Sequence, residues 1–329
     1  MKPSVSVALC THNGARFILD QVNSIGQQSV LPAQIVVSDD ASSDHCVEIA
    51  QAAIAELQSQ SDLQLQILRN NPPLKVVKNF EQAVSACTGD LIALCDQDDA
   101  WHPDRLERMV AEFERRPDLL LLHSNARLID AQGADLSESL FDAIEVQPFE
   151  LAWIHGGRAI DTLLRRNVVT GATTVFRRSL LQYALPFPPE WLHDEWLAMV
   201  AAAVGRVDVL EDRLIDYRQH AANQVGARRE TLIGKMQKAL STRDHTLAAR
   251  AVRVEILLDR LLQFGDAVPP ETIEKVRKKL AHQRFRATLP QRRVARWLPV
   301  LGELVTGRYN QFGRGLHCVA RDLLESGGG

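Results

Sequence analysis

Leu91-Ile92-Ala93-Leu94-Cys95-Asp96-Gln97-Asp98-Asp99-Ala100-Trp101-His102-Pro103-Asp104-Arg105-Leu106 is the stretch on which the reading of this chain turns. Leu91 to Cys95 are mostly apolar and predict a short buried strand; three carboxylates follow within four positions, before a proline able to open a helix. Three negative charges this close repel one another, so folding alone gives no reason to gather them at a strand end unless a cation neutralises them. A hard divalent ion, Mg²⁺ or Mn²⁺, would take one or two of these carboxylates and keep its other positions for water and a ligand's phosphates. Taken by itself, D-x-D-D also describes a solvated acidic turn. Its surroundings decide.

Upstream, Val5 to Cys10 predict a first strand, followed by the polar turn Thr11-His12-Asn13-Gly14 and a helix with Ile18, Val22 and Ile25 on one face. Gln34 to Ser38 predict a second strand running into Asp39-Asp40-Ala41-Ser42-Ser43-Asp44, whose Ser and Asp residues are expected to cap a helix carrying Val47, Ala50, Ile54 and Leu57. Leu63, Leu65 and Ile67 alternate as a third strand, and Phe80, Ala83, Val84 and Cys87 mark a helix closed by Gly89. After the opening stretch, Leu106, Met109, Val110 and Phe113 point inward from a helix that stops before Pro117. Such alternation predicts an α/β fold with a mostly parallel sheet, helices on both faces and ligands at the carboxyl ends of the strands. Three of the four strands end in polar or acidic residues. They fit one crevice for a nucleotide diphosphate, with a carboxylate for base or ribose and a metal for the pyrophosphate. Neither G-x-x-x-x-G-K-[ST] nor G-x-G-x-x-G occurs in this half, which argues against a P-loop ATPase and a dinucleotide dehydrogenase.

Val7 to Gly14, Ile35 to Asp44 and Leu91 to Leu106 together resemble the nucleotide-sugar-binding half of family 2 glycosyltransferases, which have the GT-A fold. The resemblance implies that Thr11, Asn13, Asp39 and Asp40 bind the nucleotide. It further implies that Asp96 faces the donor and that Asp98, with Asp99 beside it, holds the metal.

Residues 119–226 are expected to complete the site as an acceptor half, so that 1–118 and 119–226 form one catalytic domain. Val168 to Phe176 form a β-rich run interrupted by Gly171, suited to a strand passing close to a ligand or to an edge strand with a bulge. Glu190-Trp191-Leu192-His193-Asp194-Glu195-Trp196-Leu197 leads into an apolar helix, placing Asp194 near a helix start, where a carboxylate is electrostatically favoured. It could serve there as a cap alone. The resemblance implies instead that Asp194 is the general base, and His193-Asp194 before an aromatic resembles a rhamnosyltransferase-like subgroup; the role of His193 stays open. Tyr217-Arg218-Gln219-His220 and the residues to Gly226 follow a strand, Leu214 to Tyr217; Arg218 and His220 could neutralise a leaving diphosphate, the His could instead ligate a metal, and the run also reads as an exposed polar loop. This run too is similar to that subgroup, which implies dTDP-L-rhamnose as donor. The QxxRW signature of processive synthases is missing, which points to single-sugar addition.

At 329 residues, 46% hydrophobic and 24% charged, the chain has the composition of a soluble globular protein. It shows no apolar run near the ~20 residues a membrane span needs, and Met1-Lys2-Pro3-Ser4 lacks a signal pattern, so a cytoplasmic protein is expected. Five scattered cysteines without C-x-x-C spacing indicate reduced thiols rather than disulfides or zinc. The net charge of −3 conceals two halves: residues 1–225 carry 18 Lys and Arg against 31 Asp and Glu, and residues 226–329 carry 20 against 10. The basic region 227–329 reads as helical, with Leu247, Ala251, Val254, Leu258 and Leu261 on a stripe; Gln291 to Leu301 interleave arginines with Trp297 and leucines as interfacial helices do. It is expected to rest on the inner face of an anionic membrane, or else to pack on the catalytic domain or a second subunit in a homo-oligomer. No nucleic-acid recognition motif is visible. The resulting expectation is a metal-dependent inverting glycosyltransferase using a nucleotide-sugar donor and a saccharide or lipid-linked acceptor. Its rivals are another donor such as UDP-hexose or UDP-GlcNAc, a non-catalytic nucleotide-sugar-binding or scaffolding subunit, and a nucleotidyltransferase, for which the N-terminal glycine-rich basic loop is lacking.

Overall fold

A computed structural model describes residues 2–220, 242–243, 246–324 and 326–327. Its front half follows the sequence pattern closely. Strands β1 (Val5–Thr11), β2 (Gln34–Asp39) and β4 (Leu91–Cys95) are buried along their whole length, as expected of strands covered on both faces. Strand β3 (Gln64–Arg69) lies at the sheet edge and is partly exposed. The intervening helices are α1 (Ile18–Gly26), α2 (Cys46–Gln58) and α3 (Lys75–Ala86). The expected Ser/Asp cap of α2 is not formed: His45, at φ +62°, precedes the helix with no side-chain cap. The cluster is committed elsewhere, Ser42 to Asp39, Ser43 to Asn13 and Asp44 to the N–H of Ala15.

The rest of the sheet makes it mixed, though mostly parallel. The order is β3-β2-β1-β4-β8-β6-β9-β5, with β7 (Asp135–Ser139) paired to β6 (Leu119–Ile129). Strand β8 (Thr174–Arg177) enters antiparallel between β4 and β6; β9 (Arg206–Arg218) runs parallel to β6; and the two-residue β5 (Ala100–Trp101) is antiparallel to β9. The run Val168 to Phe176 is therefore not one strand. Gly171–Thr173 form a 3-10 turn before β8, because Thr170 O accepts from the N–H and hydroxyl of Thr173 and from the Thr174 hydroxyl.

The helix Thr246–Leu262 packs against Pro270–Ala287, and Val254, Leu257, Leu261, Val276 and Leu280 belong to the same apolar core as the sheet. These two basic helices thus pack on the domain that carries the sheet. Beyond them, Leu289, Val300, Tyr309 and Val319 build a smaller core around the buried pair Arg286–Asp322. Arg293–Arg296 form a 3-10 turn and Trp297–Val305 a helix, so the run Gln291 to Leu301 is not a single helix. The domain boundary near 226, the loop from Ala221 to Gly226 and the onset of the basic region near Arg228 lie outside the described residues. None of the described helices is long and apolar enough to cross a membrane. All five cysteines are free, and four are buried.

Candidate active site

Sheet register gathers the polar strand ends. Thr11 lies opposite Asp39 and Leu9 opposite Cys95, so the β1 turn, the Asp39-Asp40 pair and the Asp96–Asp99 run leave the sheet along one edge. Strand β5 adds the far side: Ala100 pairs with Asp216 and Trp101 with Ile215, which pins the chain just past Asp99 against the end of β9. There the N–H of Arg218 donates to Asp99 Oδ1 at 3.0 Å, and Arg218 Nε donates to Asp98 O at 2.7 Å. His220 Nε2 meets Asp98 Oδ2 at 2.6 Å. Phe17, just before α1, stacks on the His220 ring at 4.9 Å and lies under the Arg218 guanidinium at 4.9 Å, holding both side chains beside the acidic run.

The acidic cluster is electrostatically loaded. Burial raises the Asp99 carboxyl well above its usual range, with Asp98 and Asp96 adding to the rise; burial, then Asp98 and Asp194, raise Asp96. Asp194 therefore lies near enough to act on Asp96 although the two are far apart in sequence. Beneath them the fully buried Arg105 stacks on Trp101 at 3.8 Å and donates to Ala172 O at 2.9 Å, linking the acidic run to the 3-10 turn.

At the ends of β1 and β2, Thr11 Oγ1 donates to Asp39 Oδ1 at 2.7 Å, and Ser42 donates to the same carboxylate through its N–H and hydroxyl. Burial opposes ionisation of Asp39, but the bonds from Ser42 and Thr11 prevail and hold it below the usual carboxylate range. The Asp40 oxygens accept from the N–H groups of Leu74 and Lys75, at the start of α3. Asn13, at φ +51°, is exposed at the rim and accepts from Ser43 N at 2.9 Å. Gln97 joins this side, accepting from His12 N at 2.8 Å and donating to His12 O at 3.0 Å.

Asp194 sits in the first turn of α9 (His193–Val204), half-buried. Its Oδ2 accepts from Gly171 N at 2.8 Å and its Oδ1 from Glu195 N at 2.7 Å. His193 makes no hydrogen bond to it. The ring is buried, stacked on Phe80 at 3.8 Å with neither nitrogen partnered, and burial lowers its pKa.

Thr11, Asp39, Asp96, Asp98, Asp99, Arg218 and His220 thus gather along one edge of the sheet, with Asp194 near enough to act on Asp96; Asp40 is bonded to the start of α3 and Asn13 is exposed. Gln97, Phe17 and Arg105 went unread in the sequence. Phe17 and Arg105 look like ordinary helix-start residues, and nothing in a D-x-D marks its middle residue as a backbone clamp.

Among the described residues, no three His, Cys, Asp or Glu side chains form a ready-made metal cluster. A hard ion that keeps water and phosphate oxygens as ligands needs fewer protein groups. Asp99 Oδ2 is buried with no hydrogen-bond partner, next to Asp98. An oxygen-only donor set with an orphaned carboxylate oxygen fits Mg²⁺ or Mn²⁺.

The sequence model of Glycosyl transferase family 2 matches residues 6–182, more than half of the chain. The chain belongs to this family. An uncharacterised protein of Mycobacterium tuberculosis is 26% identical over 222 residues, 66% of this chain and 59% of that protein, so the chain spans about three-fifths of that relative's length. Among solved structures, TarS 1–349 of S. aureus superposes with a TM-score of 0.54 at 17% identity, covering 87% of this chain and 72% of that one; it is also known in complex with UDP-GlcNAc. The mannosyltransferase PcManGT of Pyrobaculum calidifontis, in complex with GDP-Man and Mn²⁺, gives a TM-score of 0.50 at 17% identity, covering 98% and 86%. At these identities the likeness shows the GT-A-type fold.

Proposed function

We propose that the chain transfers one sugar from a nucleotide-diphosphate donor to a hydroxyl of a saccharide or lipid-linked saccharide in cell-surface polysaccharide synthesis, inverting the anomeric centre. The observation that carries this reading is Asp194, held by Gly171 N–H beside the Asp96–Asp99 run. Asp194 takes the acceptor hydroxyl's proton as that oxygen bonds to the anomeric carbon; the bond to the diphosphate oxygen breaks and its electrons leave with the diphosphate. Arg218 and His220 face the leaving group. Asp98 and Asp99 would hold Mg²⁺ or Mn²⁺, which supplies positive charge to the diphosphate when bound. Thr11 and Asp39 form the nucleotide wall, with Asp40 and Asn13 bracing it through the α3 start and the Ser43 turn.

The fold neighbours bound to UDP-GlcNAc and to GDP-Man with Mn²⁺ support a nucleotide-sugar donor. The first choice of donor is dTDP-L-rhamnose, from the His193-Asp194 and Arg218–His220 runs; UDP-hexoses and UDP-GlcNAc are the alternatives. Residues 1–226 are taken as the catalytic unit. The helix Trp297–Val305 is proposed to touch the inner membrane face, since Val294, Leu298 and Val305 are each more than four-fifths exposed beside arginines. Asp194→Asn decides the central claim: donor binding should persist while transfer falls at least a thousandfold, and unchanged transfer would remove Asp194 as base. A thermal-shift panel of nucleotide sugars with Mn²⁺ selects the donor, the true one giving the largest stabilisation.

A further inference from the structure

A cavity of about 610 Å³ opens where the helix α7 (Ala159–Arg165) and α9 meet the C-terminal helices. None of Asp96, Asp98, Asp99 or Asp194 lines it, although Glu195, one residue past Asp194, does. Eight Lys and Arg side chains face it against two carboxylates, Glu145 and Glu195. Most of these cations are matched: Arg165 and Arg166 pair with Glu150, Arg253 with Glu195, Arg314 with Glu145 at 3.0 Å, and Arg286 with Asp322 behind the wall. Among the described residues, Lys279 and Arg250 have no carboxylate within ion-pair distance. Lys279 Nζ donates instead to a neutral group, Phe312 O, at 2.7 Å, and burial, with Arg286 and Arg250 nearby, brings its pKa down to about 7. Two neighbouring cations with no carboxylate partner at a partly exposed wall favour an entering anion.

We propose that this cavity binds a phosphate-type oxyanion, a phosphate or diphosphate group, through Lys279 and Arg250, as a site separate from the donor crevice. A planar guanidinium and an ammonium suit such a group, and the volume lies in the range of pockets that also hold part of an attached ester. The proposal does not depend on the transfer reading.

Titration calorimetry of inorganic pyrophosphate into the full chain, with EDTA present so that no metal serves the acidic crevice, tests it. The expected result is one site per chain, weakened at least tenfold in Lys279→Met/Arg250→Gln, with the unfolding midpoint and Mn²⁺-dependent nucleotide-sugar binding unchanged. Arg250→Gln alone, at an exposed position, should weaken binding severalfold and serves if the double variant misfolds. No binding, or equal affinity in the variants, overturns the proposal. Competition by monomeric dihexanoyl phosphatidic acid assigns the site to an esterified headgroup, and its failure to compete with bound pyrophosphate assigns it to the free anion.

Discussion

The backbone N–H of Gly171 donates to Asp194 Oδ2 at 2.8 Å, joining a 3-10 turn to the first turn of α9 across 23 positions of sequence. A Cβ at Gly171 would lie 3.0 Å from His193 Nε2 and 3.5 Å from Asp194 Oδ2, and the His193 ring is held against Phe80. Gly171→Ala should therefore shift Asp194 by a few tenths of an ångström. We expect kcat to fall about tenfold or more, as small misplacements of reacting groups do, with donor affinity unchanged by calorimetry. Wild-type kcat would show that the turn does not position Asp194.

Gln97 clamps the backbone of His12 with two hydrogen bonds. Gln97→Ala removes both at a partly exposed site, so a loss of about 1 kcal/mol is expected in urea unfolding. Donor affinity should drop further than stability does, because the loosened turn also carries Thr11. Equal donor affinity in the variant would separate the clamp from the nucleotide wall.

Asp216 is bonded to His102 Nε2 at 2.8 Å and to Arg127 Nε at 2.7 Å. Burial raises its pKa, but the His102 and Arg127 bonds outweigh that and bring it down to about 2. Its folded value is depressed, so its contribution is fully present above the unfolded pKa of about 3.9 and fades as pH falls toward about 2. Asp216→Asn should be clearly less stable than wild type at pH 7, and the gap should narrow between pH 4 and pH 2. A gap constant over that window, in denaturant titrations, would contradict the assignment.

Trp297 is 53% and Leu298 84% exposed. Trp297→Glu/Leu298→Glu should leave the unfolding midpoint within a degree or two, since such surface changes are usually within ±0.5 kcal/mol, yet abolish sedimentation with phosphatidylglycerol vesicles at low salt. Undiminished sedimentation would move the membrane contact elsewhere.

Much of the fold was legible because it rests on local pattern. Apolar runs such as Leu91–Cys95 and the helical spacing of Leu106, Met109 and Phe113 specify their own elements, and parallel connection then forces the polar strand ends to one edge. The site was half legible for the same reason: Asp96, Asp98 and Asp99 announce themselves by like-charge crowding. The role of Gly171 could not be read, since a β-rich run hides a turn whose geometry depends on the Thr170 carbonyl. The expected cap of α2 does not form because Asp39 holds Ser42, while Asn13 and Ala15 in the turn after β1 engage Ser43 and Asp44.

The sequence by itself determined the strand–helix alternation, the acidic crevice and the division of charge between front and tail, all set by residues near one another along the chain. Only tertiary structure decided that Arg218 reaches Asp99 across 119 positions, that Asp40 turns to the start of α3, and that the basic helices enclose a cation-lined cavity against α9. Those outcomes depend on strand insertion order and helix packing, in which each residue's partner is chosen by what the whole core brings alongside it.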